Sequence, residues 1–245
     1  MGENTGGTRI ALVTGANKGI GFEIAAQLEE RGLTVLVGAR DAGRRDAAVA
    51  RLKAAHGVPL DVTVQESVDA AAAHVEERFG RLDVLVNNAG ISGPGTPPSA
   101  CGAGELRDVF DTNVLGVLRV TNAMLPLLRR SPAARIVNVS SGVGSLAHHT
   151  DPGHYMSALP AGAAYPASKT ALNMLTVQYA KELRPDGILV NAAIPGACAT
   201  DFTAHLGFDI PRTAAQGAAV AVRLATLPEG GESGGAYDDG GAVPW

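Results

Sequence analysis

Short runs of β-branched and apolar residues alternate with longer segments of helical periodicity, and this alternation limits the fold of the chain more than any other feature. The periodicity predicts strands at Ile10–Thr14, Thr34–Val37, Val58–Leu60, Val84–Val86, Arg135–Val139, Leu189–Ile194 and, as a short seventh strand, Gly235–Tyr237. It predicts helices at Gly19–Arg31, Gln65–Phe79, Leu106–Arg130 (ended or kinked by Pro126), Tyr165–Leu183 and Thr213–Leu227. Repeated strand–helix–strand units predict an α/β fold: a single-domain, Rossmann-like, doubly wound parallel sheet with helices on both faces, covering residues 1–245.

Composition excludes several classes of partner. About 46% of the residues are hydrophobic, which suffices for a sizeable core, and the net charge of −4 comes without any basic run that would bind nucleic acid. No stretch is apolar enough to span a membrane, and the first residues lack the apolar core of a signal peptide, so we expect a cytoplasmic protein. The two cysteines, Cys101 and Cys198, form no C-x-x-C pair and predict neither a disulfide framework nor a zinc site.

A glycine-rich loop, Thr14–Gly21, joins the first predicted strand to the first helix. Glycines in such a loop allow a tight turn and close approach of the backbone to a pyrophosphate, which the free N–H groups of the helix N-terminus can bind. The spacing is G-x-x-x-G-x-G, and a purely structural turn is the alternative. The candidate cofactor-binding residues of this loop are Gly15, Asn17, Lys18, Gly19, Ile20 and Gly21.

Tyr165 and Lys169 are spaced i, i+4 and therefore share one helix face, while Ser141 follows the fifth predicted strand. Reduction of a carbonyl needs a hydride and a proton for the developing alkoxide. A free tyrosine has a pKa of about 10, and we expect the Lys169 ammonium to lower the pKa of Tyr165. Ser141 can stabilise charge on the carbonyl oxygen. This chemistry needs no metal.

These motifs resemble those of the short-chain dehydrogenases/reductases. The loop Thr14–Gly21 looks like the family's glycine motif, and Asn87–Gly90 follows the fourth strand as in the family. Asn17-Lys18 and Gly38–Arg40 look most like the carbonyl-reductase branch. The resemblance covers nearly the whole chain. Four residues fall in the order of the family's catalytic tetrad: Asn113, Ser141, Tyr165 and Lys169.

The resemblance implies NADP(H) as cofactor and hydride transfer as the reaction. It also implies that Lys169 holds the nicotinamide ribose and that Asn113 supports a water relay to Lys169. Asp61 and Val62 stand where the family contacts adenine, although Asp61 could instead cap the helix that begins at Gln65. The remaining cofactor-binding residues implied by the resemblance are Asn88, Ala89, Gly90, Tyr165, Lys169, Pro195, Gly196 and Thr200.

The end of the second strand predicts a preference for NADPH over NADH. Enzymes that prefer NADH place an acid there, hydrogen-bonded to the ribose. By resemblance Ala39 occupies the position of that acid and Arg40 follows it, while Lys18 could approach the same 2′-phosphate. Asp41 is the rival ribose ligand, but we expect it to cap the segment that follows.

Two further segments bear on the substrate and on assembly. The apolar side chains of Phe202–Ile210 predict a neutral, largely apolar substrate, with core packing as the alternative. The stretch between Ser141 and Tyr165 is longer than in the family, so we expect a loop or short helix around His148–Ala161 beside the active-site mouth. This insertion could obstruct subunit pairing, which leaves monomer or homo-oligomer open. The stretch also carries a polar cluster that favours a solvated loop over a metal site: His148, His149, Asp151 and His154.

The leading functional hypothesis is therefore NADPH-dependent reduction of a ketone or aldehyde, reversible as alcohol oxidation. Three alternatives stay open at this point. A dinucleotide-binding regulator would be expected to lack part of the tetrad, and all four positions are filled. An NAD-linked alcohol dehydrogenase would differ in cofactor preference. An epimerase or dehydratase of the same fold usually carries a different glycine spacing.

Overall fold

One sheet organises the computed structural model, which describes residues 8–204, 207 and 209–245. Within these residues the sheet has 8 strands in the order β3-β2-β1-β4-β5-β6-β7-β8, all parallel except β8, which is antiparallel to β7. The strands are β1 Ile10–Thr14, β2 Thr34–Ala39, β3 His56–Pro59, β4 Val84–Asn87, β5 Arg135–Val139, β6 Leu189–Ala193, β7 Ala236–Asp238 and β8 Gly241–Val243. The predicted single-domain, doubly wound fold is confirmed.

Helices cover both faces of this sheet. They are α1 Gly19–Glu30, α2 Ala42–Val49, α3 Gln65–Phe79, α4 Ala103–Phe110, α5 Gly116–Leu128, α6 Leu146–Thr150, α7 Ala164–Glu182 and α8 Ala214–Ala225. Side chains alternate along the strands, so that Leu12 and Leu36 join the apolar cluster under α3, α5 and α7, whereas Val13 and Val35 join the cluster under α1 and α8. Burial on both faces explains why the central strands are almost wholly apolar.

Several elements of the structure differ from the prediction. Helix α2 was not predicted, because it buries only Ala48 and has no apolar face. Strand β3 begins earlier than Val58, at His56, since it pairs with β2 from Leu36 onward. The single helix predicted over Leu106–Arg130 is three pieces, with a π-helical turn at Asp111–Leu115 between α4 and α5, and Pro126 lies inside the last turn of α5.

Sheet order determines where a ligand can bind. Strand β1 lies between β2 and β4, so the connections from β1 and β4 run in opposite directions and leave a crevice at the carboxyl ends of these strands. In the described part of the chain, no helix is both long enough and apolar enough to cross a bilayer.

Candidate active site

The glycine loop forms a cradle at the N-terminus of α1. Gly15 and Gly19 have φ angles of 64° and 57°, a region that favours glycine. Helix α1 begins after Lys18, which provides no side-chain cap, and its first turn holds no acidic residue. The first N–H groups of α1 therefore lack a side-chain partner and point to the crevice, which fits the pyrophosphate of a dinucleotide.

Asn88 and Ala89 hold this cradle in place. Their backbone N–H groups each donate a 3.0 Å hydrogen bond to Oγ1 of Thr14, and Nδ2 of Asn88 donates to the carbonyl oxygens of Thr14 (2.9 Å) and Gly15 (3.2 Å). A Cβ on Gly21 would overlap Nδ2 of Asn88 and lie 2.6 Å from the carbonyl oxygen of Gly15. The Asn88 amide group therefore fastens the loop, and only glycine fits at position 21.

Tyr165, Ser141 and Lys169 meet at the carboxyl end of β5. The Ser141 side chain hydrogen-bonds the Tyr165 phenol, and Nζ of Lys169 lies 5.6 Å from the centroid of the Tyr165 ring. Lys169 is 5% exposed, and its Nζ donates a 2.8 Å hydrogen bond to the carbonyl oxygen of Val139, the last residue of β5. The three residue types that the spacing singled out are thus brought together.

The pKa of Tyr165 is shifted in the direction opposite to the one expected from the sequence. Burial raises the pKa of Tyr165 to about 12, and the hydrogen bond with Ser141 opposes this only in part. Burial also lowers the pKa of Lys169 to about 8. The prediction that the Lys169 ammonium would lower the tyrosine pKa was wrong for this structure, because burial sets the direction of the shift and the charge of Lys169 is not among its causes. With this pKa the phenol is protonated at neutral pH.

Asn113 lies in the π-helical turn, where its side chain is fully engaged. Its Oδ1 accepts from the backbone N–H of Ile91 (2.9 Å), and its Nδ2 donates to the carbonyl oxygen of Ile91 (2.9 Å) and to Oγ of Ser168 (3.0 Å). Both amide hydrogens are used. Gly90 lets the backbone approach Asn113 and Lys169 closely, since a Cβ on it would lie 3.2 Å from Oδ1 of Asn113 and 3.8 Å from Nζ of Lys169.

The end of the crevice near β2 and β3 carries the predicted ribose and adenine contacts. Arg40 is exposed directly after β2, and its charge contributes to a lowered pKa of Asp61, after the hydrogen bond from the Thr63 side chain as the largest cause. Asp41 caps α2, accepting a 2.8 Å hydrogen bond from the N–H of Arg44. Asp61 does not cap α3, for which Val64 is the N-cap, because its carboxylate accepts from Thr63 instead.

The Val62 side chain is buried against Gly116, where a Cβ would lie 2.9 Å from a Val62 methyl group, and its adenine contact stays a prediction. Ile20 packs partly into the core beneath α1.

The segment after β6 lies at the predicted nicotinamide end. The carbonyl oxygen of Pro195 accepts a 2.6 Å hydrogen bond from Nε of Arg212, and Gly196 has a φ of 73°. The Thr200 side chain lies near Gly19 of the cradle, 3.6 Å from the position of a Cβ on that glycine. Phe202 is 38% exposed, so core packing does not account for it. Leu206 and Phe208 lie outside the described residues.

Comparison with known proteins agrees with this geometry. A sequence model of the short chain dehydrogenase family matches residues 9–210. The chain belongs to the short-chain dehydrogenase family. It is therefore an oxidoreductase of a family that uses nicotinamide dinucleotides, and its relatives include carbonyl reductases.

Individual relatives cover nearly all of this dehydrogenase. The short-chain dehydrogenase anuI of Penicillium roqueforti is 41% identical over 89% of this chain and 88% of its own. The (−)-isopiperitenone reductase of Mentha piperita is 35% identical over 92% of this chain and 95% of its own. The NADPH-bound carbonyl reductase from chicken fatty liver superposes with a TM-score of 0.84 at 30% identity, covering 97% of this chain and 99% of its own.

The insertion of this dehydrogenase forms short helices beside Ser141, in the form that the sequence predicts. Helix α6 and a 3₁₀ turn at Tyr155–Ala158 bring Met156 against Gly142, where an added Cβ would overlap the Met156 methyl group. The rings of His148 and His154 stack with 3.9 Å between centroids. Its effect on subunit pairing stays a prediction.

Ser168 is a site residue of this dehydrogenase that sequence reasoning missed. Its Oγ donates a 2.7 Å hydrogen bond to the carbonyl oxygen of Tyr165 and accepts from Nδ2 of Asn113, so it orients the Asn113 amide group against α7. Ser168 is fully buried. Its spacing of i, i+3 from Tyr165 was a signal that could have placed it on the catalytic face of α7.

Proposed function

We propose that this dehydrogenase reduces neutral, largely apolar ketones or aldehydes with NADPH, and that Tyr165 is the proton donor. The observation that carries the proposal is the half-buried Tyr165 side chain, hydrogen-bonded to Ser141 and backed by Lys169. A phenol with a pKa of about 12 is protonated at neutral pH, which suits reduction. Oxidation of an alcohol would need the phenolate instead.

Each residue has a distinct part in the proposed reaction. When bound, the cofactor supplies the hydride to the carbonyl carbon. Ser141 donates a hydrogen bond to the carbonyl oxygen as negative charge develops there, and Tyr165 transfers its proton to that oxygen. The Lys169 ammonium then stabilises the phenolate that remains. Because the side-chain hydrogens of Asn113 are used by Ile91 and Ser168, a water relay to Lys169 would rely on the main-chain carbonyl of Asn113.

Three features support NADPH over NADH. Ala39 leaves no carboxylate at the end of β2, and the exposed Arg40 follows it. The rival ligand Asp41 is engaged as the cap of α2. The chicken carbonyl reductase that superposes on this chain was solved with NADPH bound. A neutral substrate is supported by Phe202, which lies against the catalytic tyrosine, and by the hydrogen bonds of Arg212 to Pro195 and Gln216.

The test is a panel of ketones, aldehydes and quinones assayed with NADPH and with NADH, following loss of cofactor absorbance. Tyr165→Phe should keep cofactor affinity and lower kcat by about 10²- to 10⁴-fold, the usual contribution of acid/base catalysis. A variant with most of its kcat would contradict the role of Tyr165. Faster turnover with NADH than with NADPH would contradict the proposed cofactor. Faster turnover of carboxylate substrates than of their neutral esters would contradict the proposed neutral substrate.

A further inference from the structure

An ion pair lies at the mouth of the phosphate cradle and joins Lys18 to Asp201. Nζ of Lys18, at the N-cap of α1, lies 2.7 Å from Oδ2 of Asp201, which follows β6 in the chain. Both side chains are largely exposed, at 53% for Lys18 and 77% for Asp201. Exposed ion pairs contribute little to folding stability, so stabilisation of the fold is a weak reason for this contact.

The residues on either side of Asp201 extend from the cradle to the proton donor. Thr200 lies beside Gly19 of the cradle, and the ring of Phe202 lies 5.6 Å from the ring of Tyr165, centroid to centroid. Asp201 is therefore carried by a segment that spans the crevice. A lowered pKa, caused first by the hydrogen bond from Lys18 and then by the charges of Lys18 and Arg44, keeps the Asp201 carboxyl ionised.

When NADPH binds, two anionic groups can pair with the Lys18 ammonium: the Asp201 carboxylate and the 2′-phosphate of the cofactor. Its charge sits on a flexible four-carbon stem and can move between partners. A 2′-phosphate at the ribose end carries more negative charge than a carboxylate and would bind the same ammonium. NADH lacks this phosphate, so competition at the 2′-phosphate would affect the binding of NADPH and not that of NADH.

We propose that Asp201 is a specificity-determining residue that competes with the 2′-phosphate of NADPH for the ammonium of Lys18. The inference rests on the proposed use of NADPH. Asp201 thereby weakens NADPH binding while leaving NADH binding nearly unchanged, and so limits the preference between the cofactors. It also keeps Lys18 beside the cradle until the cofactor arrives.

The experiment measures the Kd of NADP⁺ and NAD⁺ by titration calorimetry, without turnover. Asp201→Asn should tighten NADP⁺ binding by roughly two- to fivefold, the range for an exposed ion pair, and leave NAD⁺ binding unchanged. In a Lys18→Met background the same substitution should give a smaller gain. The matched control is Asp186→Asn, which removes a carboxylate paired with Arg129 (2.8 Å) at the opposite edge of the sheet.

The possible results distinguish a failure of the proposed competition from a failure of the proposed NADPH preference. Unchanged or weaker NADP⁺ binding in Asp201→Asn, in a wild-type protein that prefers NADP⁺, would overturn the competition and leave the proposed function standing. An equal gain in NADP⁺ affinity with and without Lys18, or an equal gain for NADP⁺ and NAD⁺, would also overturn it. The effect of Asp201→Asn would then be a general effect of the removed charge, independent of Lys18 or of the 2′-phosphate. Equal Kd values for the two cofactors in the wild type would instead contradict the proposed NADPH preference itself.

Discussion

The ring of Phe202 lies against the ring of Tyr165, with 5.6 Å between the centroids and 55° between the ring planes. This tilted contact is a favourable geometry for two aromatic rings. It places an apolar wall, carried by the segment after β6, directly beside the proposed proton donor.

We expect Phe202→Ala to lower kcat/KM for an apolar ketone by about two- to tenfold, mainly through a higher KM. An aromatic contact of this kind contributes about 0.5–1.5 kcal/mol beyond area burial, and each 1.4 kcal/mol is a factor of ten. Steady-state kinetics of the two proteins provide the measurement. Met174→Ala is the control, because Met174 is an exposed apolar residue of α7 (59%). A loss in the control as large as that in Phe202→Ala would argue against a specific wall.

The pH dependence of reduction should follow Lys169. A lysine is charged below its pKa, so with a pKa of about 8 the ammonium is present at pH 7 and is lost as the pH rises through 8. Tyr165, with a pKa of about 12, keeps its proton over this range. The kcat/KM for reduction should therefore be level below about pH 7 and fall above pH 8. A rate that climbs between pH 7 and pH 9, with circular dichroism unchanged, would contradict the assignment.

Gly21→Ala should remove dinucleotide binding. The added methyl group would collide with Asn88 and the Gly15 carbonyl, which together form the floor of the cradle. Overpacking of this kind costs about 1–3 kcal/mol, so the Tm should also fall. Gly104→Ala is the matched control, since no atom lies within 4 Å of a Cβ placed there. Calorimetric titration and thermal melting of both variants test the prediction, which fails if Gly21→Ala binds the cofactor normally.

Arg40→Asp should weaken NADPH binding and improve NADH binding. Hydrogen bonds to charged groups contribute roughly 1.5–3 kcal/mol, which corresponds to about 10- to 150-fold in affinity for one contact. The introduced carboxylate would also accept from the ribose hydroxyls of NADH. Arg184→Asp makes the same charge change at an exposed position on the far edge of the sheet and should alter neither Kd. If the ratio of the Kd values for NADPH and NADH were the same in wild type and Arg40→Asp, Arg40 would not contact the 2′-phosphate.

The sequence by itself determined the order of strands β1 to β7 and of the longer helices, and it singled out the candidate residues Ser141, Tyr165 and Lys169. Periodicity reports local structure, and parallel strands place their carboxyl ends at one edge, so the sequence alone predicts that Ser141, Tyr165 and Lys169 meet. Helix α2 escaped prediction because the sequence shows burial only through an apolar pattern, and this helix buries little beyond Ala48. The break between α4 and α5 escaped because a π-helical turn differs from an α-helix by a single inserted residue in an otherwise continuous pattern.

Only the tertiary structure decided the electrostatics and the long-range partners. The pKa of Tyr165 is raised by burial of its side chain, which contacts Phe202 of a distant segment, so spacing to Lys169 alone predicted the wrong direction. The Asp201 partner of Lys18, the Ser168 and Ile91 partners of Asn113, and the packing of Met156 on Gly142 likewise join residues far apart in the chain. Local propensity carries no information about such contacts, because they exist only once the sheet has brought the connecting loops to the same edge.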